Sequence, residues 1–315
     1  MIEAMKKIIF TTVLSLFALF AGAQQLEQWT QFYANEYVIN PAFTGSDDYF
    51  HAHALYRNQW VGIQDAPRTY YLSVHGPMVK NTMGLGGSVF SDVVGHTRRT
   101  GLQISYAYHL KLGDASKLSF ALSAGVFQFS VDGGKLDLDN PSDIALSTGQ
   151  MSIWTPDFGS GLRYEYKNFH VGFYVPQVAN LRARFFNDYP ETGNLLARHY
   201  YLNAGYLFEI GDDFGIEANF LGRYVNPLDM FEFQTRAIYR EMVWLGASYR
   251  SPFISDQLPS AVGIMAGYQF NNNLMIGYAY DLPVGKIAGA TSGSHEIVLG
   301  IRFTRNNNAP ILPAE

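Results

Sequence analysis

The chain has 315 residues, of which 48% are hydrophobic, 15% aromatic and 16% charged, and it contains no cysteine. So many aromatic residues and so few charges exclude a disordered chain, and the lack of cysteine excludes disulfide-stapled modules and thiolate metal sites. The net charge of −5 comes without any long basic tract, which argues against a nucleic-acid-binding protein.

The first 23 residues have the three parts of a secretory signal peptide. A basic start at Lys6 and Lys7 is followed by an apolar run at 8–20 and by Ala-Gly-Ala at 21–23. Cleavage there would leave a mature chain that begins at Gln24. The sequence therefore predicts an exported protein.

A segment at residues 24–49 separates the signal peptide from the first predicted strand, and it contains the motif Asn40-Pro41-Ala42-Phe43. Proline fixes its φ angle and has no N–H to donate, so a turn that leads into the fold is one interpretation. The other is a plug or docking element, in which Asn40, Pro41 and Phe43 are candidate partner-binding residues.

From residue 50 onward, apolar and polar residues alternate along the chain. Leu102, Ile104 and Tyr106, for example, alternate with Gln103 and Ser105. A period of two places each set on one face of a β-strand. The pattern predicts about fourteen strands, which run approximately over residues 50–60, 69–78, 82–92, 98–112, 116–131, 157–166, 168–176, 198–211, 214–225, 230–240, 242–251, 261–270, 274–283 and 294–304.

Short and long connections alternate between these strands. Very short turns are expected at 80–81, 113–114, 167–168, 212–213, 240–241 and 271–273, and longer connections at 61–68, 93–97, 132–156, 177–197, 226–229, 252–260 and 284–293. Tight turns on one side, longer loops on the other and strands of roughly 9–11 residues are typical of bacterial outer-membrane barrels. A soluble β-sandwich also alternates, but the export signal, the strand length and the turn parity favour the barrel.

The predicted fold is therefore an all-β, transmembrane, antiparallel outer-membrane β-barrel of about 14 strands at residues 50–304, with a tail at 305–315. An even strand number places both termini on the tight-turn side, which is periplasmic in such barrels. The apolar face suits lipid, and the other face carries charges of both signs: Arg163, Glu165, Glu217, Arg223, Glu232, Arg236, Asp281, Glu296 and Arg302. A lumen of this kind favours a bridged or plugged interior over an ion-selective pore, and residues 24–48 could supply the plug.

A series of short motifs along the mature chain resembles the PorP/SprF family. They lie at residues 31–35, 38–45 (with Asn-Pro-Ala-Phe), 56–62 (with Arg-Asn-Gln-Trp), 66–69, 84–86, 105–110, 246–250, 277–281 and 293–297. The family consists of outer-membrane barrels of Bacteroidota that work with the type IX secretion system and, in gliding bacteria, with secretion and attachment of large surface adhesins. The resemblance implies that the partner is a secretion component or the C-terminal domain of a secreted adhesin.

Two regions are candidate partner-binding surfaces. One joins Arg57, Asn58, Gln59 and Trp60, at the end of the first strand, to Arg68, at the start of the second. These residues are expected near the extracellular rim. Trp60 is most simply a membrane-interface anchor, but arginine and tryptophan also dominate binding hot spots.

The second region is the loop at 177–197, where Arg182 and Arg184 precede Phe185 and Phe186. Exposed aromatic residues beside arginines favour an interaction surface. The loop at 132–156 is acidic, and because its spacing misses the EF-hand pattern we interpret its carboxylates as solvated rather than calcium-binding.

Neither a cofactor nor a catalytic site is predicted. His51 and His53 lie two residues apart on one strand face, and such a pair can bind a metal, but we favour two polar lumen residues near the periplasmic mouth. The other histidines show no Ser–His pair oriented by a third group, so enzymatic activity is not expected.

Two functions are therefore open for such a barrel. The first is docking or export of a surface protein through the type IX route. The alternative is an outer-membrane transporter, either a porin or a hydrophobic-compound channel similar to the fatty-acid transport barrels, which also carry an N-terminal plug. An open or apolar path through the lumen would favour transport, and a sealed lumen would favour docking.

Overall fold

Antiparallel strands make up most of the computed structural model, which describes residues 27–79, 82–135, 149–183, 194–195, 198–225, 228–253, 260–270, 273–285 and 287–304. In these ranges no helix is both long enough and apolar enough to cross a membrane. The predicted signal peptide and the predicted tail at 305–315 lie outside the described residues.

Fourteen of the strands form one closed antiparallel barrel. In chain order the strands are β1 (Phe50–Asn58), β2 (Arg68–Val79), β3 (Met83–Val94), β4 (Thr97–Lys111), β5 (Ser116–Asp132), β6 (Gln150–Tyr166), β7 (Phe169–Val175), β8 (Arg182–Ala183), β9 (Asn194–Leu195), β10 (Tyr200–Ile210), β11 (Phe214–Val225), β12 (Leu228–Tyr239), β13 (Val243–Ser251), β14 (Ser260–Phe270), β15 (Leu274–Val284) and β16 (Ser294–Phe303). The two-residue strands β8 and β9 pair only with each other, and β7 pairs with β10 in the barrel wall. The barrel closes where β1 pairs with β16, from Phe50 opposite Phe303 to Asn58 opposite His295. The predicted barrel of fourteen strands is confirmed.

The two faces of the wall differ as the alternation predicts. On β4, Leu102 and Ile104 point outward and are 52% and 59% exposed, whereas Ser105 and His109 point inward and are buried. The same outward apolar surface runs around the barrel, with Leu122, Trp154 and other large side chains exposed. A continuous apolar outer face with polar residues inside is the arrangement of a strand barrel surrounded by lipid.

The wall differs from the sequence prediction at the hairpin of β5 and β6. The loop expected at 132–156 is shorter, because β6 begins at Gln150 and pairs with Asp132. The additional part of β6 contains Pro156, and proline is unusual within a strand because it has no N–H to donate to the ladder. The strand tolerates it there because Pro156 precedes Ser160, where the ladder with β7 starts, so its missing N–H breaks no bond of that ladder.

The ends of the barrel are unlike each other. Turns such as 167–168 and 211–213 connect strands at one end, which we call the tight-turn end. Connections such as 59–67 and 285–293 lie at the other, which we call the long-loop end. The connection of β3 to β4, expected as a longer loop at 93–97, is a two-residue turn in which Gly95 has a φ of 58°. A glycine adopts this left-handed conformation at no steric cost.

Candidate functional site in the barrel lumen

The lumen is occupied by the chain's own N-terminal segment, residues 27–49. Three short 3₁₀ helices at Phe32–Ala34, Glu36–Val38 and Pro41–Phe43 satisfy part of its backbone hydrogen bonding within the segment itself. Its large side chains are buried against the inner wall: Trp29, Phe32, Tyr33, Tyr37 and Ile39. Burying one such aromatic side chain stabilises the folded state by about 1.5–3 kcal/mol.

Aromatic contacts fix the centre of this segment. Tyr33 accepts a hydrogen bond of 2.8 Å from Trp244 Nε1 and lies under the guanidinium of Arg236, 4.2 Å from its ring centroid. Burial raises the pKa of the Tyr33 and Tyr37 phenols above their usual value, so both groups are neutral at physiological pH. The centre of the segment therefore brings aromatic side chains with neutral hydroxyl groups against a wall that carries charges.

Thr30 lies at the centre of an ion network in the long-loop half of the lumen. Its hydroxyl accepts from Arg57 Nη1 at 2.7 Å and from Arg250 Nη2 at 2.8 Å, and it donates to Asp281 Oδ2 at 2.8 Å. One donor and two acceptor positions are all that a hydroxyl has. Each hydrogen-bonding position of the Thr30 hydroxyl is thus used by a different residue of the wall.

The carboxylates of the network balance its arginines. Arg57 pairs with Asp281 at 2.6 Å and with Glu296 at 2.9 Å, and Arg250 pairs with Glu232 at 2.8 Å. Glu296 also accepts the backbone N–H groups of Thr30 and Gln31. With Arg223, which lies 3.3 Å from Glu232, the network has three arginines and three carboxylates. Such buried charges are stable only as a paired, hydrogen-bonded set.

Two further ion pairs hold the start and the middle of the segment. Glu27 pairs with Arg99, whose guanidinium also lies 5.2 Å from the ring centroid of Phe90. Towards the tight-turn end, Glu36 pairs with Arg163. The segment therefore runs along the lumen, from the long-loop half to the start of β1. Phe50 and Phe303 pair at the tight-turn end, whereas Glu27 lies in the opposite half.

The motif Asn40-Pro41-Ala42-Phe43 forms a turn inside the lumen that is packed on the wall. Asn40 Oδ1 accepts the N–H of Ala42 at 2.9 Å, and its Nδ2 donates to the carbonyl of Leu162 at 3.0 Å. Pro41 begins the 3₁₀ helix, where its missing N–H costs nothing. The ring of Phe43 lies 4.6 Å from the guanidinium carbon of Arg163. These contacts are internal, so a partner role for Asn40, Pro41 and Phe43 stays a prediction.

Close backbone contact seats the segment at Gly84 of β3. A Cβ atom there would lie 1.9 Å from the carbonyl oxygen of Thr44. We expect Gly84→Ala to displace this part of the segment and to destabilise the barrel by about 1–3 kcal/mol, measured as a lower urea midpoint for unfolding. Gly87→Ala, on the opposite face of the same strand, is the control, because its Cβ would meet only Gln103 O at 3.7 Å. Equal midpoints for the two variants would contradict this seating.

The predicted rim residues separate into two groups. Arg57 is 1% exposed and belongs to the lumen network, not to a rim surface. Asn58 and Gln59 are half-buried, Trp60 has a φ of 50° and donates its N–H to Ser294 Oγ at 3.1 Å, and Arg68 is exposed opposite Asn58. The predicted rim residues that remain accessible at the long-loop end are Asn58, Gln59, Trp60 and Arg68.

The second predicted surface is largely outside the described residues. Arg184, Phe185 and Phe186 are not described, and Arg182 is placed only by its backbone, as the first residue of β8. No sequence motif marks the residues that bind the segment to the wall, which are Glu27, Thr30 and Glu36. The charges of both signs on the inward face of the strands were the indication that the lumen is bridged or plugged.

A family model described as type IX secretion system membrane protein PorP/SprF matches residues 21–301. The chain belongs to the PorP/SprF family. The match includes both the N-terminal segment and nearly the whole barrel, and it confirms the family suggested by the sequence motifs. A PorP/SprF protein is thus a membrane protein of type IX secretion, and the closed strand barrel makes this one an outer-membrane β-barrel. A search of the curated proteins found no match.

Solved structures share the barrel fold with this PorP/SprF chain at low sequence identity. Omp33, an outer-membrane protein of Acinetobacter baumannii, has a TM-score of 0.50 and 11% identity, over 82% of this chain and all of that one. The monoaromatic hydrocarbon channel CymD has a TM-score of 0.51 and 14% identity, over 87% of this chain and 94% of that one. A mutant of the monoaromatic hydrocarbon channel TodX has a TM-score of 0.51 and 11% identity, over 85% and 93%. At such identities the likeness concerns the fold alone.

Proposed function

We propose that this PorP/SprF protein is a docking barrel of the type IX route, which helps to secrete or to anchor a large surface protein such as a gliding adhesin. The observation that carries the proposal is the filled lumen. The N-terminal segment is bonded to wall residues on β1, β6, β12, β15 and β16. A barrel blocked in this way has its rims, not its interior, available to a partner.

The partner in this proposal is a secretion component or the C-terminal domain of the adhesin. It binds the long-loop rim, where Arg68 is exposed and Trp60 is half-buried. We place that rim outside the cell and the tight-turn end in the periplasm, as in other outer-membrane barrels. Arginine and tryptophan supply the anchoring contacts of many protein interfaces.

Transport is the second candidate, and it rests on fold likeness to channels. The filled lumen does not favour it, because a solute path would have to pass the buried ion pairs of Arg57 and Arg250. A transporter would also need the N-terminal segment to leave or to rearrange. We assign no enzymatic activity to the barrel.

Purification from the native outer membrane tests the docking function. A gently solubilised, tagged chain should bring down a large surface protein or a secretion component in stoichiometric amount, identified by mass spectrometry. Arg68→Glu should abolish this capture, because it reverses an exposed charge on the long-loop rim. Arg240→Glu is the matched control, because Arg240 is exposed at the tight-turn end. This variant should still capture the partner as the wild type does.

Planar bilayers provide the opposing measurement. Under the docking proposal the full-length protein conducts little. A protein that purifies alone and conducts steadily would overturn the proposal and leave the transporter. Capture lost equally in Arg68→Glu and Arg240→Glu would contradict the placement of the partner on the long-loop rim.

A further inference from the structure

Three histidines from two neighbouring strands meet in the lumen near the tight-turn end. His51 and His53 share the inner face of β1, and His75 of β2 lies directly opposite His51 in the antiparallel register. All three are buried, and one ring nitrogen from each lies within 4.8 Å of the others. The ring planes are nearly parallel, with 18° between His51 and His75 and 19° between His51 and His53.

The nitrogens of this cluster lack the partners that buried polar atoms normally have. His75 is 2% exposed, and among the described atoms neither of its ring nitrogens has a hydrogen-bond partner. His53 Nδ1 likewise has none in the described part of the chain. Leaving a buried polar atom unpaired costs about 1–3 kcal/mol. The three histidines line a cavity of about 180 Å³ together with Asp47.

A carboxylate from the N-terminal segment supports one of the rings. Asp47 Oδ2 lies 2.7 Å from His51 Nε2, which leaves Nδ1 of that ring for another ligand. A carboxylate on the second nitrogen of a histidine is the usual support of a metal-binding imidazole, because it fixes the tautomer and the ring orientation. Gly300 of β16 lies opposite His53 of β1 in the antiparallel register. A Cβ atom at Gly300 would lie 2.9 Å from His53 Cδ2, so the lack of a side chain there leaves room for the imidazole ring.

The cations that line the cavity have their own partners. Arg236 donates from Nε to Glu217 Oε2 at 2.5 Å, and Arg302 lies 5.3 Å from the ring centroid of Tyr49. Three imidazoles and one carboxylate are a donor set that suits zinc and related divalent transition metals. A tetrahedral zinc ion, with Zn–N distances of about 2.0–2.1 Å, would draw the nitrogens to roughly 3.4 Å from one another. The histidine rings need to turn and to approach by about 1 Å.

We propose that His51, His53 and His75 bind one divalent transition-metal ion of the zinc type, with Asp47 as the carboxylate that supports or completes the site. The ion would join the N-terminal segment to β1 and β2, because Asp47 lies on the segment and the three histidines lie on the wall. Tyr37 and Phe43 of the same segment already contact the His75 ring, with centroid distances of 4.8 and 6.0 Å. The inference goes beyond docking and does not depend on the identity of the partner.

Metal titration of the full-length barrel tests the site. The protein is purified in detergent with a tag that contains no histidine, stripped with a chelator and titrated with Zn²⁺ against a chromophoric competitor. We expect one tightly bound ion per chain, with affinity reduced tenfold or more by His75→Gln and reduced about 10- to 100-fold by Asp47→Asn. His295→Gln is the control, because His295 Nδ1 already bonds the Tyr278 hydroxyl at 2.6 Å, and it should leave the affinity unchanged.

Cobalt supplies a readout that does not require any variant. Co²⁺ bound to the wild-type barrel should give the strong visible absorption of a tetrahedral site, and X-ray absorption of the zinc form should report about three imidazole ligands. Heat-dependent gel mobility identifies variants that remain folded. No retained ion in the wild type, or the same affinity in folded His75→Gln and His295→Gln, would overturn the proposal and leave a polar pocket.

Discussion

Replacing Arg57 with alanine should loosen the N-terminal segment inside the lumen and let ions pass through the barrel. Arg57 is 1% exposed and donates to Thr30, Asp281 and Glu296, so its loss removes contacts to the segment and to two strands at once. Among the described ion pairs Arg57 is the one cation of Glu296. Removing one partner of a buried pair costs about 3–5 kcal/mol, because the remaining charge stays buried. We expect a large fall in the urea midpoint and steady conductance in planar bilayers.

Arg240→Ala is the matched control for this experiment. Arg240 also forms an ion pair with an aspartate, Asp213 at 2.9 Å, but both side chains are at least half exposed. Solvent and salt screen such a pair, so neither the midpoint nor the conductance should change measurably. An Arg57→Ala barrel as stable and as closed as the Arg240→Ala barrel would mean that the network does not hold the segment.

Deleting residues 27–48, with the export signal retained, should convert the closed barrel into an open one. The strand ladder needs no residue before Phe50, because β1 pairs with β2 and β16 from that residue onward. Fourteen strands enclose more space than inward side chains fill, so an aqueous path should appear once the segment is absent. The deletion should raise the conductance in planar bilayers more than any single substitution.

A synthetic peptide with the sequence of residues 24–49 gives this test its control. Added to the shortened barrel, it should lower the conductance again. The same peptide with Thr30→Val should fail, because valine keeps the shape of threonine but lacks the hydroxyl that Arg57, Arg250 and Asp281 bond. A shortened barrel that is folded yet still closed would show that the wall alone seals the lumen.

The strands could be predicted closely because lipid outside and polar groups inside impose a strict period of two. All fourteen barrel strands coincide with predicted segments within a few residues, except that β6 starts seven residues earlier than expected. The additional part of β6 contains Pro156, which is tolerated because it lies opposite Val126 of β5 and before the ladder with β7 starts at Ser160. Local signals are thus sufficient for most strand positions but miss a strand segment that contains a proline.

The lumen site could not be predicted in the same way, because its contacts join residues far apart in the chain. Thr30 meets Asp281 across 251 positions, and only the closed barrel brings them together. His75 meets His51 through a register that the nine-residue connection at 59–67 does not dictate by local turn geometry. The sequence indicated inward charges of both signs, but the partners of those charges depend on the path of the N-terminal segment through the lumen.

The closure of the barrel and the position of its N-terminal segment depend on the same buried residues. Arg57 and Glu296 face each other across the first and last strands, so their bond forms only when the sheet joins its two ends. The same guanidinium also donates to Thr30 of the N-terminal segment. One buried arginine therefore serves both the closure of the wall and the seating of the segment, so that each of the two stabilises the other.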